Sequence, residues 1–202
     1  MFKLVKDFET AIADFYGAPY AVATDCCTHA IELCLRKEQP NFVSCPKYTY
    51  LSIPMTFIKL GLSWEFDNSK WDNYYQIGNT QIYDAAVLWE PNSYIPKSYM
   101  CLSFQFQKHL SLGRGGAILC DNYDDYILFK KMSYDGRLPD IPWAEQNIDT
   151  IGYHYYMTPE TAQLGLQKLP NCIEETPKKW CWHDYPNLSQ MSLFVKKNSS
   201  IH

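Results

Sequence analysis

One lysine in this chain sits where its amine could do chemistry. Lys108 lies at the centre of SFQFQKHLSLGRGGAILCD, Ser103 to Asp121, between an apolar run from Tyr99 to Phe104 and another from Ala117 to Cys120. Both runs read as buried strands, so the spacing places the lysine on a loop between two core elements. Gly113, Gly115 and Gly116 follow it, and glycines there let other backbone come close. An amine held in this way suits Schiff-base chemistry, although a solvated surface lysine leaves the same local signature. Asp84 is the second candidate. It ends the short strand-like run Thr80 to Tyr83, and open α/β sheets place ligand contacts at the carboxyl ends of their strands. It also fits as the N-cap of a helix over the alanine-containing segment behind it, and spacing alone leaves both readings open.

The elements that must position these residues alternate along the chain. Val5, Phe8, Ile12 and Phe15 fall at helical spacing, and Gly17 with Pro19 supplies a stop. Tyr20 to Thr24 reads as a strand, and Asp25 can cap a helix with Cys27, Ala30, Ile31, Cys34 and Leu35 on its buried face. Asn41 to Cys45 is a second strand, Thr49 can open a helix that ends at Gly61, and Leu62 to Phe66 is a third strand. Residues 67 to 78 are polar and aromatic without a period and read as a loop. Tyr123 to Met132 reads as a helix, Asp135 opens an irregular stretch, and Thr158-Pro159-Glu160 starts a helix expected to end near Pro170. This alternation points to an α/β fold with a mostly parallel central sheet. One domain over 1–170 is expected, followed by an irregular tail over 171–202 that packs loosely or against a partner.

Composition narrows the class. Hydrophobic residues make up 47% of the 202 and charged residues 20%, a globular balance. The net charge of −4, without clusters of Lys or Arg, argues against nucleic-acid or anionic-membrane partners. No apolar run has membrane-spanning length and no signal-peptide pattern is present, so a cytoplasmic protein is expected. The eight cysteines lie mostly inside apolar segments and form no CxxC pair. Free buried thiols are therefore expected, and the scattered histidines give no zinc-ligand spacing, so no metal is expected.

Five segments, in order, resemble the DegT/DnrJ/EryC1/StrS family of pyridoxal-phosphate-dependent sugar aminotransferases. They are AVATDCCTHAIELCL, VSCPKYTYLSIPMTFIKLG, IYDAA, DGR and IGYHYYMTPETAQLGLQKL, and the lysine segment itself carries the same resemblance. The resemblance covers residues 2 to 169 and implies the three-layer large domain of the type I pyridoxal-phosphate transferases. It assigns Lys108 to the Schiff base and to proton transfer, and Asp84 to the cofactor's ring nitrogen. Tyr50 takes the place of the stacking aromatic, and Cys27, Thr28 and Ser103 stand at the phosphate. His109 and His154 replace asparagines that reach the phosphate of a neighbouring subunit, which implies a homodimer. Departures include Cys27 for a glycine, Gln105 for a histidine, Val87 for a polar residue, and Gly152-Tyr153-His154-Tyr155-Tyr156 for the usual G-Y-N-Y-R.

The match is also short. The segment before the first helix is missing, the region from Asp67 to Tyr83 is compressed, and the small C-terminal domain is essentially absent. The activity the resemblance implies is transfer of an amino group from an amino acid, glutamate being the expected donor, to a nucleotide-linked keto sugar. The alternative is a catalytically impaired relative that binds cofactor or sugar as a partner or scaffold.

Overall fold

The alternation of side chains along three central strands determines how the layers assemble. In the computed structural model, which describes residues 2–198, strands β1 (Tyr20–Thr24), β6 (Tyr99–Ser103) and β7 (Gly116–Cys120) lie side by side. Ala21, Ala23, Met100, Leu102, Ala117 and Leu119 point to one face, where helices α1 (Lys3–Tyr16) and α5 (Pro159–Glu174) cover them. Val22, Cys101, Ile118 and Cys120 point to the other, against α2 (Cys27–Glu38) and α4 (Tyr123–Ser133). A period of two in every strand, with both faces apolar, leaves no stable arrangement except helices on each side. The expected three-layer α/β class is the one found.

The sheet itself is mixed. Its order is β1-β7-β6-β5-β4, with β5 at Ile82–Asp84 and β4 at Tyr75–Gln76. Only β5 and β6 pair in parallel, whereas β1–β7, β6–β7 and β4–β5 are antiparallel. Strands β1, β5 and β6 run one way and β4 and β7 the other. The sheet departs from the mostly parallel expectation because loop 104–115, which carries Lys108, contains no crossover helix and returns the chain as a hairpin. A separate parallel pair joins β2 (Phe42–Pro46) to β3 (Ser63–Asp67), with α3 (Ser52–Lys59) between them in sequence.

Three local expectations are corrected. Asp25 does not cap α2: the residue at the cap is Cys26, and Asp25 binds His29 and Arg114. Thr49 does not open α3; it is buried and bonds the Tyr75 hydroxyl. Helix α5 runs through Pro170 to Glu174. An interior proline costs about 3 kcal/mol, and burial of Leu169 and Cys172 on either side, worth about 1.5–3 kcal/mol for a large apolar side chain, offsets it.

The described part of the expected tail packs back onto the domain. Leu188 N–H donates to the Lys47 carbonyl, and bridges pair Tyr48 with Asn187 and Asp72 with Cys181. Phe194, in α6 (Ser192–Asn198), is 2% exposed and lies edge-on to Trp64 and Phe66 of β3. Residues 199–202 lie outside the described residues. No helix among the described residues is long and apolar enough to cross a membrane.

Helices α1 and α5 touch at Phe8 and Gly165, where an added Cβ would meet the Phe8 ring at 2.4 Å. That ring is fully buried and edge-on to Phe104 at 5.3 Å, so it cannot swing aside. Alanine gains up to about 1 kcal/mol of helix propensity over glycine, whereas overpacking costs about 1–3 kcal/mol. Gly165→Ala should therefore lower the urea midpoint; a raised midpoint would show that the α1–α5 contact has room.

Candidate functional site

The strands β1, β5 and β6 share a direction, so their carboxyl ends open on the same edge. Asp84 is the last residue of β5 and Ser103 the last of β6, while β1 leads into the turn at Asp25 and Cys26 and then α2. A cavity of about 290 Å³ lies there, and Lys108, Asp84, Cys27, Thr28, Tyr50 and Ser103 all line it. Six of the eight residues singled out from sequence thus meet in one place.

Gly116 makes this possible. A Cβ on it would lie 2.4 Å from the Cys27 nitrogen and 2.5 Å from the Cys26 carbonyl carbon, so only glycine admits the first turn of α2 against the sheet. The amides of that turn have no partner within the helix and point outward, the usual solution for holding an anion. Thr28 Oγ1 donates to Ser52 Oγ at 2.9 Å, and Ser103 Oγ accepts from the Gln105 amide at 3.4 Å. The Cys27 thiol donates to the Cys101 carbonyl at 3.4 Å, and burial, reinforced by the charge of Asp84, holds it well above the usual thiol range. Only its backbone is suited to an anion. Tyr50 stands at the rim, 54% exposed.

Asp84 is buried, with Oδ2 accepting from the Tyr75 hydroxyl at 2.7 Å and Oδ1 from the Ala86 amide at 3.0 Å. No helix follows it, which removes the helix-cap reading. Burial raises its pKa above the ordinary carboxylate value, while Tyr75, Ala86 and Lys108 act against that rise. Lys108 shows the reverse: burial lowers its amine below the ordinary value, against the opposing charge of Asp84. Its Nζ lies 5.5 Å from the centroid of the Trp180 ring. The two groups are coupled through the cavity, each displaced toward its neutral form by loss of water.

Two candidates fall elsewhere. His109 Nε2 lies 2.8 Å from the Cys172 carbonyl and its ring 5.2 Å from that of Trp89, which ties it to the end of α5 outside the cavity. His154 also lies outside; its side chain is 71% exposed, with Nδ1 3.1 Å from Asp135 Oδ2. Conversely, Trp71, Tyr75, Trp180, Asp184 and Tyr185 line the cavity without having been picked out for it. They come from aperiodic segments, and the only sequence signal was their aromatic richness.

Beside the α2 turn, ligand atoms of Asp25, Cys26 and His29 lie within 4.8 Å of one another. The His29 ring stacks on Tyr155 at 3.6 Å, and the Arg114 guanidinium bonds the same Asp25 carboxylate at 2.7 Å. Burial lowers the pKa of His29, but hydrogen bonds to Asp25 and Cys26 outweigh it and push it up to about 9. Protonated His29 and Arg114, two cations on the one Asp25 carboxylate, make the cluster an anchor for the turn and a poor cation ligand set. Because this pKa is raised on folding, its stabilisation is fully present below pH 6.5 and disappears as pH rises through about 9. With screening at a partly exposed site it amounts to on the order of 2 kcal/mol. Urea unfolding should show His29→Asn more destabilising below pH 6.5 than above pH 9; an equal cost at both ends would deny the ion pair.

A model of the DegT/DnrJ/EryC1/StrS aminotransferase family matches residues 1–70. No curated protein matches the sequence. Among solved structures, AtS13 from Actinomadura melliaura superposes with a TM-score of 0.74 at 18% identity, covering 85% of this chain and 61% of that one. Spr1654 from Streptococcus pneumoniae, in its PLP form, gives 0.68 at 18% identity, covering 85% and 60%. The sugar aminotransferase CalS13 from Micromonospora echinospora gives 0.68 at 15% identity, covering 85% and 61%. The fold is thus one shared with aminotransferases that use pyridoxal phosphate. The chain resembles the DegT/DnrJ/EryC1/StrS family in its first 70 residues and spans about three fifths of the length of these structures.

Proposed function

We propose that this chain is the cofactor-binding domain of a pyridoxal-phosphate-dependent sugar aminotransferase, passing an amino group from glutamate or a similar amino acid to a nucleotide-linked keto sugar. The observation that carries the reading is the meeting of Lys108 and Asp84 in one cavity at the carboxyl ends of β5 and β6, beside the α2 N-terminus. The residues fit the cofactor. A half-buried amine with a lowered pKa, an oriented carboxylate and the N-terminus of α2 match an aldehyde, a ring nitrogen and a phosphate.

When bound, pyridoxal phosphate supplies a carbonyl that condenses with amines and a ring that accepts electrons. Lys108 offers a neutral amine at lower pH than a solvated lysine and moves the proton at the substrate carbon. Asp84 holds a proton at the ring nitrogen. Tyr50 offers its ring face at the rim, while the amides at Cys27 and Thr28, with the Ser103 hydroxyl, receive the phosphate. Trp71, Trp180 and Tyr185 narrow the cavity around Lys108 and limit its access to water.

Two homodimer features belong to the same proposal. Tyr50, Leu51, Met55 and Phe106 are exposed close to the cavity and suit a subunit contact. His154, which is exposed, and His109, whose Nε2 lies 2.8 Å from the Cys172 carbonyl, are the residues proposed to reach a second subunit's cofactor phosphate. A cytoplasmic setting, where thiols stay reduced, suits eight cysteines that are all free.

Borohydride reduction with pyridoxal phosphate, followed by peptide mapping, should place the label on Lys108; labelling elsewhere or nowhere sinks the proposal. Asp84→Asn should retain the fold and lose roughly 10³-fold in rate, as expected when a few kcal/mol of electrostatic stabilisation is removed. Light scattering should return twice the 23.6 kDa chain mass. A monomer that turns over would show that one chain completes the site.

A further inference from the structure

Tyr75 makes the closest side-chain contact to Asp84 and has no part in the roles above. It stands directly across the β4–β5 pair from Asp84, and its buried hydroxyl lies 2.7 Å from Oδ2. The same phenol oxygen meets Thr49 Oγ1 at 2.5 Å. A phenol has one proton and an ionised carboxylate only accepts. With Asp84 charged, Tyr75 must therefore donate to Oδ2 and Thr49 must donate to Tyr75. With Asp84 neutral the row can reverse, Asp84 donating to Tyr75 and Tyr75 to Thr49. In either arrangement Oδ1 receives the Ala86 amide, so both carboxylate oxygens are held.

We propose that Tyr75 is a positioning residue whose hydroxyl, backed by Thr49, holds Asp84 as an ionised carboxylate in a fixed orientation toward the cavity. Ring packing keeps the phenol in place, with Trp71 5.3 Å from Tyr75 on one side and from Tyr185 on the other. The titratable groups around Asp84 are Lys108 of loop 104–115, Cys27 of α2, Cys45 of β2, Cys101 of β6, Tyr75 of β4 and Tyr185 of the C-terminal segment. Burial raises the pKa of the thiols and phenols among them, so they stay neutral, and among the described residues Lys108 is the charge facing Asp84. Burial works against the carboxylate, which leaves the Tyr75 bond, first among its partners, with the Ala86 amide and Lys108 to sustain it. The meaning for catalysis rests on the cofactor reading: a ring nitrogen keeps its proton only opposite an ionised partner.

Two measurements separate this inference from that reading. In the full chain without cofactor, the Asp84 side-chain carbon can be followed by 13C NMR, assigned by its loss in Asp84→Asn. Tyr75→Phe should move its titration upward by about one pH unit, the worth of a hydrogen bond to a charged group. Thr49→Val, which keeps the volume, should move it the same way by less. An unmoved midpoint in Tyr75→Phe overturns the inference whether or not cofactor binds. If that variant does not fold, an unmoved midpoint in Thr49→Val overturns it instead. In the second measurement, pyridoxal phosphate is added and the visible absorption is titrated. The midpoint should shift in Tyr75→Phe while borohydride still labels Lys108. A wild-type chain that takes no label removes the cofactor reading and leaves the NMR titration to decide the role of Tyr75.

Discussion

The contact between Gly116 and the turn at Cys26 and Cys27 governs the rest of the structure. Strand β7 begins there, α2 begins there, and no side chain fits between them. The contact sets the depth at which the α2 N-terminus enters the sheet edge, and so fixes the cavity wall opposite Lys108. It also brings Cys27 under the sheet, where its thiol can reach the Cys101 carbonyl of β6. The neighbouring ion pairs of Asp25 with His29 and Arg114 tie the turn to α2 and to the loop after Lys108. Geometry at the anion-binding end and at the amine is thereby transmitted through a few atoms of backbone.

Much of this was legible from the residues. A lysine between two apolar runs, followed by three glycines, does lie on a loop between β6 and β7, and one of those glycines does admit a close backbone approach. Asp84 at a strand end was legible for the same reason, since the strand's apolar pattern marks its carboxyl edge. The direction of the sheet was less so. Alternating strands and helices suggest parallel pairing, but loop 104–115 is a hairpin with no periodic pattern to reveal it. Strand β4 has two residues and owes its existence to pairing with Asp84 and Tyr83, which no local propensity encodes.

The cavity's aromatic wall was the least legible part. Trp71, Tyr75, Trp180 and Tyr185 sit in segments without helical or strand period, and they meet only because distant backbone pairs hold the segments together. His109 and His154 show the opposite limit. Their places in a motif suggested contacts to a neighbouring subunit's phosphate, and within this chain the Cys172 carbonyl engages one while Asp135 engages the other at the surface. A motif position specifies a point along the backbone, and the local partners decide where its side chain goes.

The segment carrying Trp180, Asp184 and Tyr185 is joined to the domain by backbone pairs at Lys47–Tyr48 and Asp72–Asn73, more than a hundred residues earlier. Such contacts close long loops, and closure entropy delays them relative to the helices and the β6–β7 hairpin. During synthesis, therefore, the cavity stays open on one side until residue 185 has emerged, and any ligand met before then finds the amine and the carboxylate without their roof. Completion of the cavity and docking of this distant segment are the same event viewed from two ends of the chain.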